Sequence, residues 1–387
     1  MTTTTDRTEL RRDLRALIDQ ICTDYPDAYW REVDEARRYP EEFVDALTGT
    51  GCLGALVPEE YGGLGLGLGD ASVLLEGINA NGGNAGPVHA QLYTMGSVLR
   101  HGSEEQKRRY LPDIAAGKVR LQAFGVTEPT AGSDTTSLRT TATRTDDGYV
   151  LNGQKVFISR VQHSDLMLLL ARTTRREDVT RKSDGISMFL IDLREVSGVE
   201  ARPIRTMVNH ETNEVFFHDV HIPANALVGE EGRGFRYVLD GMNAERILIA
   251  SECVGDGRWF VRRASRYASE REVFGRPIGR NQGVQFPIAQ AHVHLEAADL
   301  MRWRAADLFD AGQPCGAEAN MAKLLASEAS WEAADVALQT HGGYGMAAEY
   351  DIERKFRETR LYRIAPVSSN LILSHIGEHV LGMPRSF

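Results

Sequence analysis

The chain has 387 residues, 42% of them hydrophobic and 25% charged, an ordinary globular composition with room for two or three domains. A formal net charge of -10 argues against general nucleic-acid binding, which needs a basic face. The four cysteines, Cys22, Cys52, Cys253 and Cys315, form no CxxC or Cys/His cluster. That argues against a zinc site or a disulfide framework and fits reduced thiols in a cytoplasm. The start of the chain, residues 1–6, is polar and lacks the basic and apolar parts of a secretory signal. No run approaches the roughly 18 apolar residues that span a bilayer, so a cytoplasmic, soluble protein is expected.

Residues 1–119 read as helical. Leu10, Leu14, Leu17, Ile18 and Ile21 recur at helical spacing, which buries one face. A second helix is expected after Pro40, carrying Phe43, Val44 and Leu47. The glycine-leucine run over 62–69 has spacing like a phosphate-cradling loop. No strand-turn-helix context surrounds it, and it reads as a connecting loop.

Residues 120–234 change period. Asp146-Asp147-Gly148 is a turn signal. Asn152-Gly153 lies between Tyr149-Val150-Leu151 and Val156-Phe157-Ile158, a pattern that predicts a hairpin. Further strands are expected over 166–170, 186–193 and 215–217. From 235 onward, long helices are predicted over 236–268, 283–311, 318–340 and 368–382. The fold class is therefore α+β and multidomain: an N-terminal α-helical domain (1–119), a middle antiparallel β-barrel-like domain (120–234) and a C-terminal four-helix bundle (235–387).

Four segments carry candidate chemistry. In Phe124-Gly125-Val126-Thr127-Glu128-Pro129-Thr130-Ala131-Gly132-Ser133-Asp134, small and hydroxyl residues alternate. Such a segment lets backbone N–H and hydroxyl groups approach a flat polar ligand, although on the residues alone a Ser/Thr-rich turn is simpler. Gln339-Thr340-His341-Gly342-Gly343-Tyr344-Gly345 has three glycines within four residues, which ends a helix and allows close backbone approach. Glu270-Arg271-Glu272-Val273-Phe274-Gly275 offers a guanidinium, whose planar donor fork suits a diphosphate. An arginine at such a place is also commonly a solvated surface residue. Met242-Asn243-Ala244-Glu245-Arg246-Ile247 sets a carboxylate before an apolar stretch. Sealed under a ligand, such a carboxylate becomes a stronger base; the plainer reading is an exposed glutamate paired to a cation.

Together these segments resemble the signature motifs of the acyl-CoA dehydrogenase family of flavoenzymes. The likeness extends through Pro58-Glu59-Glu60-Tyr61-Gly62-Gly63 and Gly102-Ser103-Glu104-Glu105-Gln106-Lys107, and so covers nearly the whole chain. The resemblance implies an FAD cofactor and an acyl-CoA substrate. It also implies α,β-dehydrogenation with hydride transfer to flavin N5, an electron-transfer flavoprotein as acceptor, and a homotetramer. By match, Phe124, Val126 and Thr127 contact the isoalloxazine, and Ser133 lies near both the flavin and the CoA pyrophosphate. Phe157-Ile158-Ser159 stands for the family's Trp-Ile-Thr on the other side of the ring, with Ser159 toward N5. Arg271, Phe274, Gln282, Gln339, Gly342 and Gly343 are matched to the FAD of an adjoining subunit. Glu349, Arg354 and Glu358 continue the pattern, and Ser368 and Asn370 fall near the adenosine phosphates. Asn243 and Arg246 are matched to the CoA thioester and adenosine arm.

One departure stands out. Many members carry their base in a Tyr-Glu-Gly-Thr segment, and in ungapped register Pro366 of Ile364-Ala365-Pro366-Val367-Ser368 stands there. The isovaleryl-CoA branch carries its base on an earlier helix, before an arginine, which Glu245-Arg246 matches. Proline also lacks the N–H that would help bind the thioester oxygen. A flavin monooxygenase, a desaturase of carrier-bound acyl chains, and a catalytically impaired flavin- or acyl-CoA-binding subunit are open alternatives on this scaffold. Tyr93 and Met95 fall either near the acyl end or in the core.

Overall fold

The structure, a computed structural model, describes residues 4–385, with side chains from Arg7 onward; residues 1–3, part of the reading of the chain start, lie outside it. Six helices come first: α1 Thr4–Asp24, α2 Asp27–Glu35, α3 Glu41–Gly49, α4 Leu68–Ala80, α5 Gly86–His101 and α6 Glu104–Ala115. Eight strands follow: β1 Leu121–Gly125, β2 Thr141–Arg144, β3 Gly148–Ser159, β4 Leu166–Arg172, β5 Ile186–Asp192, β6 Val199–Pro203, β7 Thr212–Pro223 and β8 Leu227–Val228. Then come α7 Gly234–Glu270, the short antiparallel pair β9 Glu272–Val273 and β10 Arg276–Pro277, and helices α8 Gln282–Asp310, α9 Gly316–His341, α10 Ile352–Leu361 and α11 Ser369–His375. The order is helical, then β, then helical, as expected. The described residues form two compact units, one drawn from 1–36, 67–85 and 243–387, the other from 37–66 and 86–242.

In the second unit, the strands run in the order β6-β7-β3-β2-β4-β5-β8, with β1 added in parallel to β4. Every residue of β4 and β5 is buried, so these strands are mostly apolar on both faces rather than alternating, with the polar Arg172, Ser187 and Asp192 also buried. Leu151, Met167, Leu169, Phe189, Ile191 and Phe217 form the centre of the core. Helix α5 docks on β1 through side-chain bonds: Thr94 Oγ1 donates to Leu121 O at 2.6 Å, and Leu121 N donates to Gln91 Oε1 at 3.2 Å.

The hairpin expected at Asn152-Gly153 does not form. The residues lie inside the single strand β3, where pairing with β7 shifts register between Leu151 and Gly153. The dipeptide makes a bulge. Asn152 Nδ2 donates to Asp219 Oδ1 at 2.8 Å, and Asp219 N, at φ 46°, donates back to Asn152 Oδ1 at 3.0 Å. The reversal occurs instead between β2 and β3, at Asp146-Asp147.

In the first unit, α1 packs on α4, α4 on α8, α8 along α9, and α9 against α10. The glycine-leucine run ends as the entry to α4, whose first amides are held by one carboxylate: Leu68 N donates to Asp310 Oδ1 at 2.7 Å and Gly69 N to Asp310 Oδ2 at 3.0 Å. Acidic capping of this kind suits a helix N-terminus, and the connecting-loop reading stands. Buried charges cross-link the helices. Glu76 lies between Arg15 at 2.5 Å and Arg302 at 3.5 Å, with Arg258 on the same carboxylate. Lys355 meets Asp256 at 2.5 Å and Glu358 at 2.9 Å. The helix expected over 368–382 is instead the short α11 followed by a π-turn over Ile376–Val380, and α10 was not anticipated.

Candidate functional site

The β unit brings two of the matched segments together. Val156 N donates to Thr127 O at 2.9 Å, which ties the stretch after β1 to the end of β3. At that point β3 bulges again, between Lys155 and Ile158. Phe157 takes φ 58°, a left-handed conformation that is an outlier for an aromatic residue. The consequence is visible in burial: Val156 and Ile158 face the core, while Phe157 is 63% exposed. A strained backbone thus lifts one aromatic face out of the sheet. Two residues on, Ser159 Oγ accepts from Asn209 Nδ2 at 2.6 Å, which leaves the hydroxyl hydrogen to donate elsewhere. Phe124 is half-buried, its ring centroid 6.0 Å from that of Tyr93. Met95 is fully buried and belongs to the core. Ser133 is exposed at the turn that Asp134 organises by accepting from Thr136 Oγ1 at 2.5 Å and from Ser137.

Glu128 and Lys155 were not singled out from the sequence, yet they underlie this region. Lys155 Nζ donates to Glu128 Oε1 at 2.8 Å and to Val126 O at 3.1 Å. Burial pushes the Lys155 amine down to about 8 against the pull of Glu128. Burial also pushes the Glu128 carboxyl up, but Lys155 and the bonds from Thr140 and Arg139 outweigh it and leave it below the ordinary value. Both groups are charged at neutral pH.

The helical unit gathers the second group. Helix α9 ends at Gly342, whose φ 58° and ψ -133° are open in practice to glycine alone. A Cβ placed on Gly342 or Gly343 would meet nothing within 4 Å, so this backbone is free to be approached. Buried His341 stacks on Tyr267 at 4.2 Å and donates from Nδ1 to Ala337 O at 2.7 Å. The Arg271 guanidinium lies 5.8 Å from the Tyr344 ring centre and is exposed. Phe274 sits at φ 55° with its side chain 100% exposed. Gln282 and Gln339 are exposed at the start of α8 and near the end of α9. Ser368 caps α11, its Oγ accepting from Leu371 N at 3.4 Å, and Asn370 is exposed in the first turn. Arg354 and Glu358 bind each other at 2.9 Å inside the unit, so they act in packing.

Glu245 is half-buried on α7. Beside it, Arg246 Nη1 donates to Asn243 Oδ1 at 3.1 Å, while Arg246 Nε is buried with no hydrogen-bond partner among the described residues. Lys323, fully buried on α9, donates to Val367 O at 2.7 Å. Burial pushes its amine down to about 8, with Cys253 and Glu245 pulling it up and Arg246 and Arg363 pressing it further down. Lys323 therefore anchors the loop that follows Pro366 to α9. Sequence reasoning missed it; a lone lysine in an alanine-rich helix carries no signal of its own.

These features suit a dinucleotide flavin. Taken unit by unit, the β unit offers the exposed aromatic face of Phe157 and a hydroxyl hydrogen on Ser159, and the helical unit offers the Arg271 guanidinium and open backbone at Gly342 and Gly343, groups whose chemistry suits a ring and a diphosphate respectively. Among the described residues no group of three or more His, Cys, Asp or Glu could hold a metal, and no helix is long and apolar enough to cross a membrane. Fold and residues together define a flavin-dependent oxidoreductase. The chain belongs to the acyl-CoA dehydrogenase family, whose cofactor is FAD: it matches the family's N-terminal domain over residues 7–118, its middle domain over 123–220 and its C-terminal domain over 232–381. It is 36% identical over 384 residues to the acyl-CoA dehydrogenase FadE12 of Mycobacterium tuberculosis (strain ATCC 25618 / H37Rv), covering 98% of each chain. It is similar to the structure of glutaryl-coenzyme A dehydrogenase in complex with glutaryl-CoA, with a TM-score of 0.90, 29% identity, and 100% of this chain and 98% of that one covered. PigA with FAD and proline is similar at a TM-score of 0.90 and 27% identity, with 98% of each chain covered.

Proposed function

We propose that this oxidoreductase catalyses α,β-dehydrogenation of an acyl-CoA thioester, with Glu245 as the base, in the manner of the branch that carries its base on the earlier helix. FAD, when bound, supplies the two-electron acceptor for the hydrogen that leaves the β-carbon. The carboxylate of Glu245 takes the α-proton, and the electron pair of that C–H bond becomes the new double bond. Proton removal from a weak carbon acid needs a positioned base. The observation that carries this reading is the setting of Glu245: it is half-buried on α7 next to Arg246, whose guanidinium is bonded to Asn243 and keeps one buried nitrogen unpartnered among the described residues. Arg246, with its unpartnered Nε, and Asn243 are suited to the thioester and adenosine arm. Phe124, Val126, Thr127, Ser133, Phe157 and Ser159 are assigned to the flavin in one unit. Arg271, Phe274, Gln282, Gln339, Gly342 and Gly343 are assigned to the FAD of an adjoining subunit, and Ser368 and Asn370 to the FAD adenosine phosphates.

We assign the protein to a homotetramer. Phe286, Val293 and Leu300, at seven-residue spacing on α8, are 56%, 63% and 74% exposed, an apolar stripe of the kind that helices bury against one another. An electron-transfer flavoprotein is proposed as the acceptor that restores the oxidised cofactor. The likeness to PigA, solved with proline, favours a second reading: oxidation of a substrate not carried by CoA on the same scaffold. Anaerobic titration of the yellow protein with acyl-CoAs of varied length and branching separates them. Bleaching of the flavin band is expected with at least one; a band unmoved by the whole panel overturns the acyl-CoA reading.

A further inference from the structure

Two buried charges in the β unit have no part in the chemistry proposed above. Lys155 has 0% exposure and Glu128 5%. As plain core filling they are a poor choice, because a buried ion pair stabilises no more than apolar residues of the same volume and often less. Their bonds, however, all end on one segment. Lys155 Nζ reaches Val126 O at 3.1 Å and Glu128 Oε1 at 2.8 Å. The same Glu128 oxygen accepts from Thr140 N at 2.9 Å, and its Oε2 accepts from Arg139 N at 2.6 Å. Between these anchors, Glu128 and Ala131 exchange backbone bonds of 3.1 Å each way across Pro129-Thr130.

The effect follows from peptide geometry. A planar trans peptide directs its N–H opposite to its C=O. With the Val126 carbonyl held toward Lys155, the Thr127 N–H points away from the buried amine. The Thr127 carbonyl is likewise occupied by Val156 N at 2.9 Å.

We infer that Lys155 and Glu128 are positioning residues for the cofactor: as one buried pair they fix the 126–140 segment in the conformation that presents Thr127 outward. This rests on the FAD reading above. The test uses the full-length protein with both charges removed together, Lys155→Met with Glu128→Gln, so that neither partner is left buried alone. Its far-ultraviolet circular dichroism is expected to match wild type. Its apoprotein is expected to bind FAD about tenfold or more weakly, the loss of one charge-assisted anchor, and its bound flavin to show an altered visible circular dichroism band. Tyr149→Phe is the comparison, since it removes a bond of 2.8 Å to Glu231 in the same unit; it should lower thermal stability and leave FAD affinity and the flavin band unchanged. If the double variant does not fold, Glu128→Gln alone is read by the same titration, with weaker binding expected. Wild-type affinity and band shape in the variant overturn the inference, as does an equal change in Tyr149→Phe. A wild-type protein that binds no FAD instead overturns the reading beneath it, and the inference falls with it.

Discussion

The two signature segments are built by opposite means. The one in the β unit is held by side chains: a buried lysine and glutamate grip its carbonyls and amides, and a bulge turns Phe157 out. The one in the helical unit is shaped by backbone: Gly342 adopts a conformation that other residues resist, with open space around it. A side-chain scaffold can be disabled by removing one charge. A backbone scaffold fails when a single methyl group is added, even where there is room for it.

The largest effect should come from splitting the buried pair. Lys155→Met alone leaves a carboxylate unpaired inside the sheet and should cost about 3–5 kcal/mol, read from the denaturant midpoint. Adding Glu128→Gln should recover a good part of that loss, and a double variant no more stable than the single one would contradict the side-chain account. Gly342→Ala comes next. Nothing crowds its Cβ, so the cost is conformational, about 1–3 kcal/mol, and an unchanged midpoint would show the left-handed backbone to be dispensable. The smallest effect is one of pH. Burial holds His341 below the ordinary 6.5, against the bond to Ala337. As pH falls below 6.5, the unfolded chain takes up this proton before the folded one does. Stability should therefore drop through and below that range and stay level above it with respect to this group. His341→Gln should lower stability at all pH values, since it removes the stack on Tyr267, and should make the acid slope shallower, as scanned by thermal unfolding.

What the sequence disclosed depended on how each segment is buried. Strands β4 and β5 were legible because each is dominated by large apolar residues, 166–170 in one and 188–191 in the other. Asn152-Gly153 misled because apolar runs flanking that dipeptide look alike for a hairpin and for a bulge; Asp219, far along the chain, decides between them. Helix α10 escaped because its buried residues are Ile352, Arg354, Lys355, Glu358 and Thr359. Its inner face is ionic, and hydropathy periodicity cannot show that. The site divides the same way. The glycines and Phe157 announced themselves as motifs. Lys155, Glu128 and Lys323 act on carbonyls and amides brought near only by folding, so no local pattern marked them.

The assignment of the base is tested most directly by Glu245→Gln, anaerobically mixed with the acyl-CoA that best bleaches the wild-type flavin. Bleaching should slow at least about 100-fold, while FAD content and acyl-CoA binding stay at wild-type levels. A variant that bleaches at the wild-type rate would show that Glu245 does not remove the proton.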